Sequence, residues 1–211
     1  MASSSPSSST TVKRKMQSEN LNENQPKRNH WAAGLSTALD DESVRIYKDD
    51  LCTVIKDKYP KARIHLLVMP NEHIANLKSI NDTHLPLLKH MLKVGKEVAE
   101  KTVAKANARG SFTDFRYGYH AIPSMALLHM HVISQDFISD SLKTKKHWNS
   151  FTSGYFLDAS QVIDDLQANG SVRIDTTRMG KLLDNELKCH RCSNKFTTMP
   201  KLKQHLLTHA S

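Results

Sequence analysis

Near the C-terminus, Cys189, Cys192, His205 and His209 fall at a spacing that leaves little freedom to the chain around them. Two residues separate the cysteines, twelve more precede His205, and three lie between the histidines. Thiolate sulfur and imidazole nitrogen are the ligands of tetrahedral structural zinc, and this is the spacing of a two-Cys, two-His finger. Phe196 and Leu202 supply a miniature core, and Pro200 suits the first turn of the helix that carries both histidines. So short a segment scarcely folds without its ion, so structural zinc is expected in a small ββα module over 187–211. Thr198, Lys201 and Gln204 take the helix positions that meet base edges in finger arrays. Lys188, Arg191, Lys195, Lys201 and Lys203 suit phosphate contacts that hold a duplex without reading it.

The rest of the chain must hold the main core, since 211 residues suffice for one full core and a small appendage. Thirty Lys plus Arg against 21 Asp plus Glu give a formal charge of +9, which points to a polyanionic partner such as nucleic acid. A mean hydropathy of −0.52 suits a soluble protein with strongly charged parts. No apolar run approaches the ~20 residues that cross a bilayer, and no apolar leader follows Met1, which argues against insertion and secretion. Three cysteines form an odd, sparse set that argues against a secreted disulfide framework, and a reducing, intracellular setting is expected.

Residues 1–29 are rich in Ser, Asn, Lys and Arg, too poor in apolar side chains to offset the entropy of ordering, and read as a disordered basic tail. Lys13, Arg14 and Lys15, followed by Lys27 and Arg28, have the form of a two-part nuclear-import signal; a merely solvated tail fits the same residues. A short helix is expected over 30–39, with Trp31 at its start. Such a ring either caps the core or stacks on a terminal base, a contact that contributes ~1–3 kcal/mol.

Strands are expected over 51–56 and 62–69, joined as an antiparallel hairpin through the charged loop around Pro60. Cys52 reads as a buried, inert thiol. His65 interrupts an otherwise apolar strand, with Lys61 and Arg63 flanking it. A long amphipathic helix follows over 81–108, capped by Asn81 or Asp82, and then a strand over 111–119. Residues 127–134 read as a further, buried strand, almost continuously apolar and carrying Val132 and Ile133. With a side-chain period of two, His129 and His131 share one face while Leu128, Met130 and Val132 share the other. Helices over 158–168 and 176–186, separated by Asn169 and Gly170, form a bridge to the finger.

The segment around His129 and His131 resembles the signature of the histidine-triad (HIT) family, in which three histidines alternate with apolar residues. The words GYHAIPSM, HVISQDF and KKHWNSF are similar to its DNA-adenylate hydrolase branch. The likeness runs over roughly 30–211, with one departure: Leu127 stands where the family usually has its first triad histidine. It implies an α+β fold with an antiparallel sheet and helices, organised as a basic tail (1–29), a catalytic domain (30–150), a helical bridge (151–186) and the finger (187–211).

It also implies roles. His129 is the nucleophile towards an adenylate phosphorus, forming a covalent histidyl-AMP, and His131 contacts the phosphate or sugar. Ser124 contacts phosphate, and His65 and His120 serve the leaving group or DNA phosphates. Asp57 holds the ribose hydroxyls, and Ile55 and Leu51 line the base pocket. Lys61 and Lys146 bring positive charge, and Trp31, Lys188, Arg191 and Lys201 meet DNA. Asp136 reads as a structural hydrogen-bond partner and Trp148 as core. No catalytic metal is required. The expected function is removal of AMP from 5′-adenylated DNA ends and nicks in the nucleus, with AMP as product and a further action on a 3′-capping guanylate. Two other readings fit part of the chain: a general hydrolase of small nucleotide conjugates, and a non-catalytic zinc-finger DNA-binding protein.

Overall fold

The computed structural model describes residues 1–2, 42–106, 113–125 and 127–209. The basic tail, the short helix over 30–39 and Trp31 lie outside the described residues.

Six strands form one antiparallel sheet in the order β1-β2-β3-β5-β4-β6. They are β1 (Arg45–Lys48), β2 (Cys52–Lys56), β3 (His65–Pro70), β4 (Phe115–His120), β5 (Met130–Ser134) and β6 (Phe156–Asp158). The hairpin expected around Pro60 is β2 and β3, which pair from Cys52 opposite Pro70 to Lys56 opposite Leu66. Strand β5 lies between β3 and β4, with His131 level with Leu67 on one side and Gly118 on the other.

Alternation then sorts the side chains. Val54, Leu66, Val68, Met130 and Val132 face one layer, where Leu88, Met91, Val94 and Val98 of helix α1 (Leu85–Lys105) meet them. Each such aliphatic side chain contributes roughly 1.5–3 kcal/mol relative to exposure. Helix α1 follows a 3-10 turn, Asp82–His84, whose Asn81 carboxamide accepts the Thr83 N–H. Pro86 sits in its first turn, where a missing N–H costs nothing. A Cβ at Gly95 would come 2.8 Å from the Met130 methyl, so glycine there sets how closely α1 approaches β5.

The opposite sheet face carries His65, His131 and Ile133, and it is covered differently. Helix α2 (Lys145–Thr152), capped by the Thr144 hydroxyl, lays Trp148 and Phe151 on it. The chain then returns as β6, pairing with β4, so the sheet extends beyond residue 150 into what the sequence assigns to the bridge. A Cβ on Gly118 would lie 2.3 Å from the Leu157 carbonyl oxygen, so only glycine admits this strand. Helices α3 (Ala159–Asn169) and α4 (Thr176–Leu182) follow, and Gly170, at φ 66°, ends the first in the left-handed conformation that glycine adopts without penalty.

The finger comprises β7 (Leu187–Lys188), β8 (Lys195–Phe196) and α5 (Met199–Leu206), followed by the 3-10 turn Leu207–His209. Its core is continuous with the second sheet face: Leu187, Met199, Leu202 and Leu206 join Phe137, Leu142, Trp148 and Phe151 in one buried cluster. The Trp148 indole N–H donates to the Lys188 carbonyl at 2.9 Å, and the Asn149 carboxamide donates to the carbonyls of Leu183 and Asn185 at 3.0 and 2.8 Å. Among the described residues, no helix is long and apolar enough to cross a membrane.

Candidate active site

Four imidazoles gather on the second sheet face, one each from β3 and β4 and two from β5 and its approach. His65, His129 and His131 are 3–4% exposed. Ring centroids are 4.9 Å apart for His129 and His131, 4.4 Å for His120 and His131, and 5.1 Å for His65 and His131. The strand itself begins at Met130, one residue after His129, yet the alternation holds and both rings share the face that the sequence assigns them.

The hydrogen bonds fix where the protons sit. The backbone N–H of Lys61 donates to His65 Nδ1 at 3.1 Å, so a neutral His65 carries its proton on Nε2. That Nε2 lies 2.9 Å from His131 Nδ1 and donates to it, which puts the His131 proton on Nε2. His131 Nε2 has no partner among the described residues and is therefore an available donor. His129 Nδ1 lies 2.7 Å from the Leu127 carbonyl oxygen and must donate to it, which leaves the Nε2 lone pair without a partner among the described residues. The relay starts at a peptide N–H and ends on His131, which offers a proton, while the Leu127 carbonyl separately leaves the neighbouring His129 ring with a lone pair to offer.

Burial keeps these rings neutral. It lowers His65 to about 4, with Asp57 opposing and Lys61 and His129 assisting. Burial likewise depresses His129, although the bond to Leu127 and the charge of Asp57 work the other way. Burial first, then the charges of His129, His65 and Lys61, push His120 well below the ordinary range, and burial, then His120, His129, His65 and Lys61, do the same to His131.

The remaining candidates divide into those near this cluster and those apart from it. Asp57 places Oδ2 3.7 Å from His65 Nε2 and accepts the Tyr59 N–H through Oδ1. Lys61 is half-buried, its ammonium bonded to the Tyr59 carbonyl and its charge felt by His65, His120 and His131. Ile55 is buried with Leu67 and Met69 in an apolar patch against which Val44, Met125 and Leu127 pack. Leu127 thus keeps the backbone role towards His129 while its side chain joins the apolar wall. Ser124 is exposed on the loop after β4.

Leu51 is not in that wall. It is 48% exposed in the turn before β2, where Asp49 accepts its N–H. The four residues from Leu51 to Ile55 span about 13 Å of strand, which carries Leu51 to the far end of the sheet. Lys146 also departs from expectation: it is exposed beside the Asp184 carboxylate, 3.9 Å away, and the charge that reaches the imidazoles comes from Lys61. Asp136 is a structural acceptor, taking the backbone N–H groups of Arg63 and Ile138 and the Ser134 hydroxyl.

Phe151 escapes a reading of the sequence. Its ring lies 5.2, 4.6 and 5.2 Å from those of His65, His120 and His131 and roofs all three. His147, on the same helix, is lowered by burial and by Lys61, so it too stands near the site. A cavity of about 10 Å³ borders the cluster, lined by Tyr119, His120, Leu127 and His129 among others. Asp57, His65 and His131 also bring one ligand atom each within 4.8 Å of one another, the spacing of a metal-ligand group.

In the finger, the Cys192 sulfur lies 3.1 Å from His205 Nε2, the Cys189 sulfur 3.5 Å from His209 Nε2, and the two imidazole nitrogens 3.1 Å apart. Four ligand atoms converge within 4.8 Å of each other. Zinc bond lengths of ~2.0–2.3 Å place tetrahedral ligands about 3.3–3.8 Å apart, so the donor set fits structural zinc. Lys188, Arg191 and Lys201 are exposed; Arg191 pairs with Asp114 at 3.4 Å.

Residues 33–147 match the family described as scavenger mRNA decapping enzyme C-term binding, and residues 152–211 match the C2HE / C2H2 / C2HC zinc-binding finger. Aprataxin of Gallus gallus is 49% identical over 180 residues, covering 85% of this chain and 55% of that protein. The chain thus spans about half the length of this relative. The aprataxin-like protein of Saccharomyces cerevisiae (strain ATCC 204508 / S288c) is 32% identical, with 80% of this chain and 88% of that one covered. Among solved structures, the aprataxin ortholog Hnt3 in complex with DNA superposes with a TM-score of 0.69 at 27% identity, covering 86% of this chain and 93% of that one. Hnt3 in complex with DNA and guanosine gives 0.65 at 28% identity, over 83% and 93%. By these similarities the chain belongs to the aprataxin family, a histidine-triad fold joined to a C-terminal zinc finger.

Proposed function

We propose that this protein removes AMP from 5′-adenylated DNA and restores a 5′-phosphate end. The observation that carries the reading is the fixed pair of protonation states, with a free lone pair on His129 Nε2 beside a free N–H on His131 Nε2. A neutral imidazole with an unblocked lone pair is a nucleophile at neutral pH. His129 attacks the adenylate phosphorus; a P–N bond forms as the bond to the bridging oxygen breaks, and the DNA 5′-phosphate leaves. The His131 N–H stabilises charge on the departing or non-bridging oxygens, a role in which a preorganised donor outperforms water. Water then attacks the histidyl-AMP phosphorus, AMP departs, and His129 regains its lone pair. This route calls on no metal.

DNA is the proposed partner because the solved relative holds DNA, and because the finger presents exposed Lys188, Arg191 and Lys201 on a chain of net charge +9. We also propose that the finger grips duplex phosphates and that a 3′-capping guanylate is a second substrate, a reading supported by guanosine in the second Hnt3 structure. A nuclear location is proposed from the two basic clusters at 13–15 and 27–28; loss of nuclear accumulation when both are neutralised would support it.

The test is release of AMP from a 5′-adenylated nicked duplex by the intact protein and by His129→Ala, with a small adenylated conjugate in parallel. Release from DNA that disappears in the variant supports the reading. Cleavage of the conjugate alone makes the protein a general nucleotide hydrolase, and cleavage of neither makes it a binding protein.

A further inference from the structure

On the other face of the sheet, remote in the fold from both the imidazole cluster and the finger, three ligand-type side chains meet where the β1–β2 turn touches helix α1. Asp49 comes from the turn, Cys52 from the first position of β2, and His90 from the second turn of α1. Their ligand atoms lie within 4.8 Å of one another. Asp49 Oδ2 is 2.7 Å from His90 Nε2 and 4.0 Å from the Cys52 sulfur, and it accepts the Tyr47 hydroxyl at 2.9 Å. Cysteine, histidine and aspartate together are a zinc-type donor set, and a phenol or water completes four.

The carboxylate is held in place as a ligand requires. Its other oxygen, Oδ1, accepts the backbone N–H groups of Leu51 and Cys52 at 2.9 and 2.7 Å, which orients Oδ2 towards the remaining two donors. A divalent ion bound here would take the place of the Cys52 thiol proton and let thiolate and carboxylate share one cation. Zinc-ligand bonds of ~2.0–2.3 Å set ligand atoms roughly 3.3–3.8 Å apart, so the aspartate and histidine, now 2.7 Å apart, need to part by roughly 0.6–1 Å.

We infer that Asp49, Cys52 and His90 form a second zinc site, distinct from the finger, that staples the edge hairpin of the sheet to helix α1. The site draws on the N-terminal part of the sheet and owes nothing to the proposed reaction.

The experiment is zinc stoichiometry on the full chain, loaded with zinc and dialysed, in wild type, Cys52→Val, His90→Asn and the finger variant Cys189→Ser/Cys192→Ser. Valine keeps the buried strand position filled, and the partly exposed His90 gives a variant that does not disturb the core. Two ions per wild-type chain, falling to one in Cys52→Val and in His90→Asn and leaving one in the finger variant, are expected. Cobalt substitution gives an independent readout: the thiolate-to-cobalt absorption should fall by a third in Cys52→Val, as three thiolate ligands become two. One ion in wild type that vanishes with the finger overturns the inference, as does a second ion that persists in either Cys52→Val or His90→Asn.

Discussion

Two clusters of four side chains, both rich in histidine, organise this molecule in opposite ways. In the finger, sulfur and nitrogen atoms point at a common centre and approach to 3.1–3.5 Å. On the sheet, rings lie against rings, and only His65 and His131 share a hydrogen bond. Convergent lone pairs invite a cation. Rings whose nitrogens are taken up one after another by N–H donors and carbonyls instead deliver one lone pair and one proton outward. What separates a metal site from a nucleophile here is the direction of the nitrogen atoms, set by which backbone groups bind the far side of each ring.

The sharpest test removes the outward lone pair. His129→Ala should lower AMP release roughly 10³-fold or more while leaving zinc content unchanged, measured by single-turnover release from adenylated DNA and by metal analysis. A rate within tenfold of wild type would place the nucleophile elsewhere.

The next blow falls on the finger. Chelation of its zinc, or Cys189→Ser, should unfold β7, β8 and α5 and strip cover from Trp148 and Phe137. Because α2 carries both Trp148 and Phe151, the roof over the histidines should loosen as well. A misplacement of ~1 Å can lower rate about 10²-fold, so cleavage even of a small adenylated conjugate should fall by that order. If the conjugate is cleaved at full rate, the two clusters are independent.

Phe151→Ala probes the roof alone. It should cost about 3–5 kcal/mol of stability by denaturant titration. It should also admit water to His65, His120 and His131, so the acid limb of the rate profile should move up towards the ordinary histidine value of ~6.5. In the intact protein the sign is clear. Burial lowers His65 to about 4, so the unfolded chain takes up the proton first; stability is whole above about pH 6.5 and is lost as pH falls towards 4. Calorimetry across that range should show the melting temperature decline, and a flat profile would mean that His65 is solvated.

The smallest effect is expected at Leu127. The His129 tautomer is fixed by the main-chain carbonyl of residue 127, which any side chain leaves in place. Leu127→His should therefore change kcat by less than about tenfold, with its main consequence in KM through the apolar patch it leaves.

The parts of this arrangement that were legible in the sequence are those ruled by a period or a fixed spacing. Alternation put His129 and His131 on one face because a strand has no other choice, and the finger ligands are spaced by the geometry of a single ion. Gly170 marks a helix end because its missing side chain satisfies a local need, whereas Asn81 caps the 3-10 turn Asp82–His84 and the long helix itself starts after that turn, at Leu85. Strand β6 escaped because three residues, Phe156–Asp158, carry no period and owe their place to the gap at Gly118. Phe151 escaped because an aromatic on an amphipathic helix declares burial but not its neighbours. Leu51 was misplaced by likeness to a family position; the Asp49 turn, a local hydrogen-bonding matter, holds it at the far end of β2.

The proton relay on the sheet begins at the peptide N–H of Lys61, a group that neither titrates nor belongs to any side chain. Replacing residues one at a time with alanine would pass over this origin, because every amino acid but one supplies the same donor. Lys61→Pro removes it and frees His65 to adopt the other tautomer, which would turn the His131 proton inward. The polarity of the site is thus written in the main chain of a loop, where sequence change is ordinarily well tolerated and side-chain identity says least.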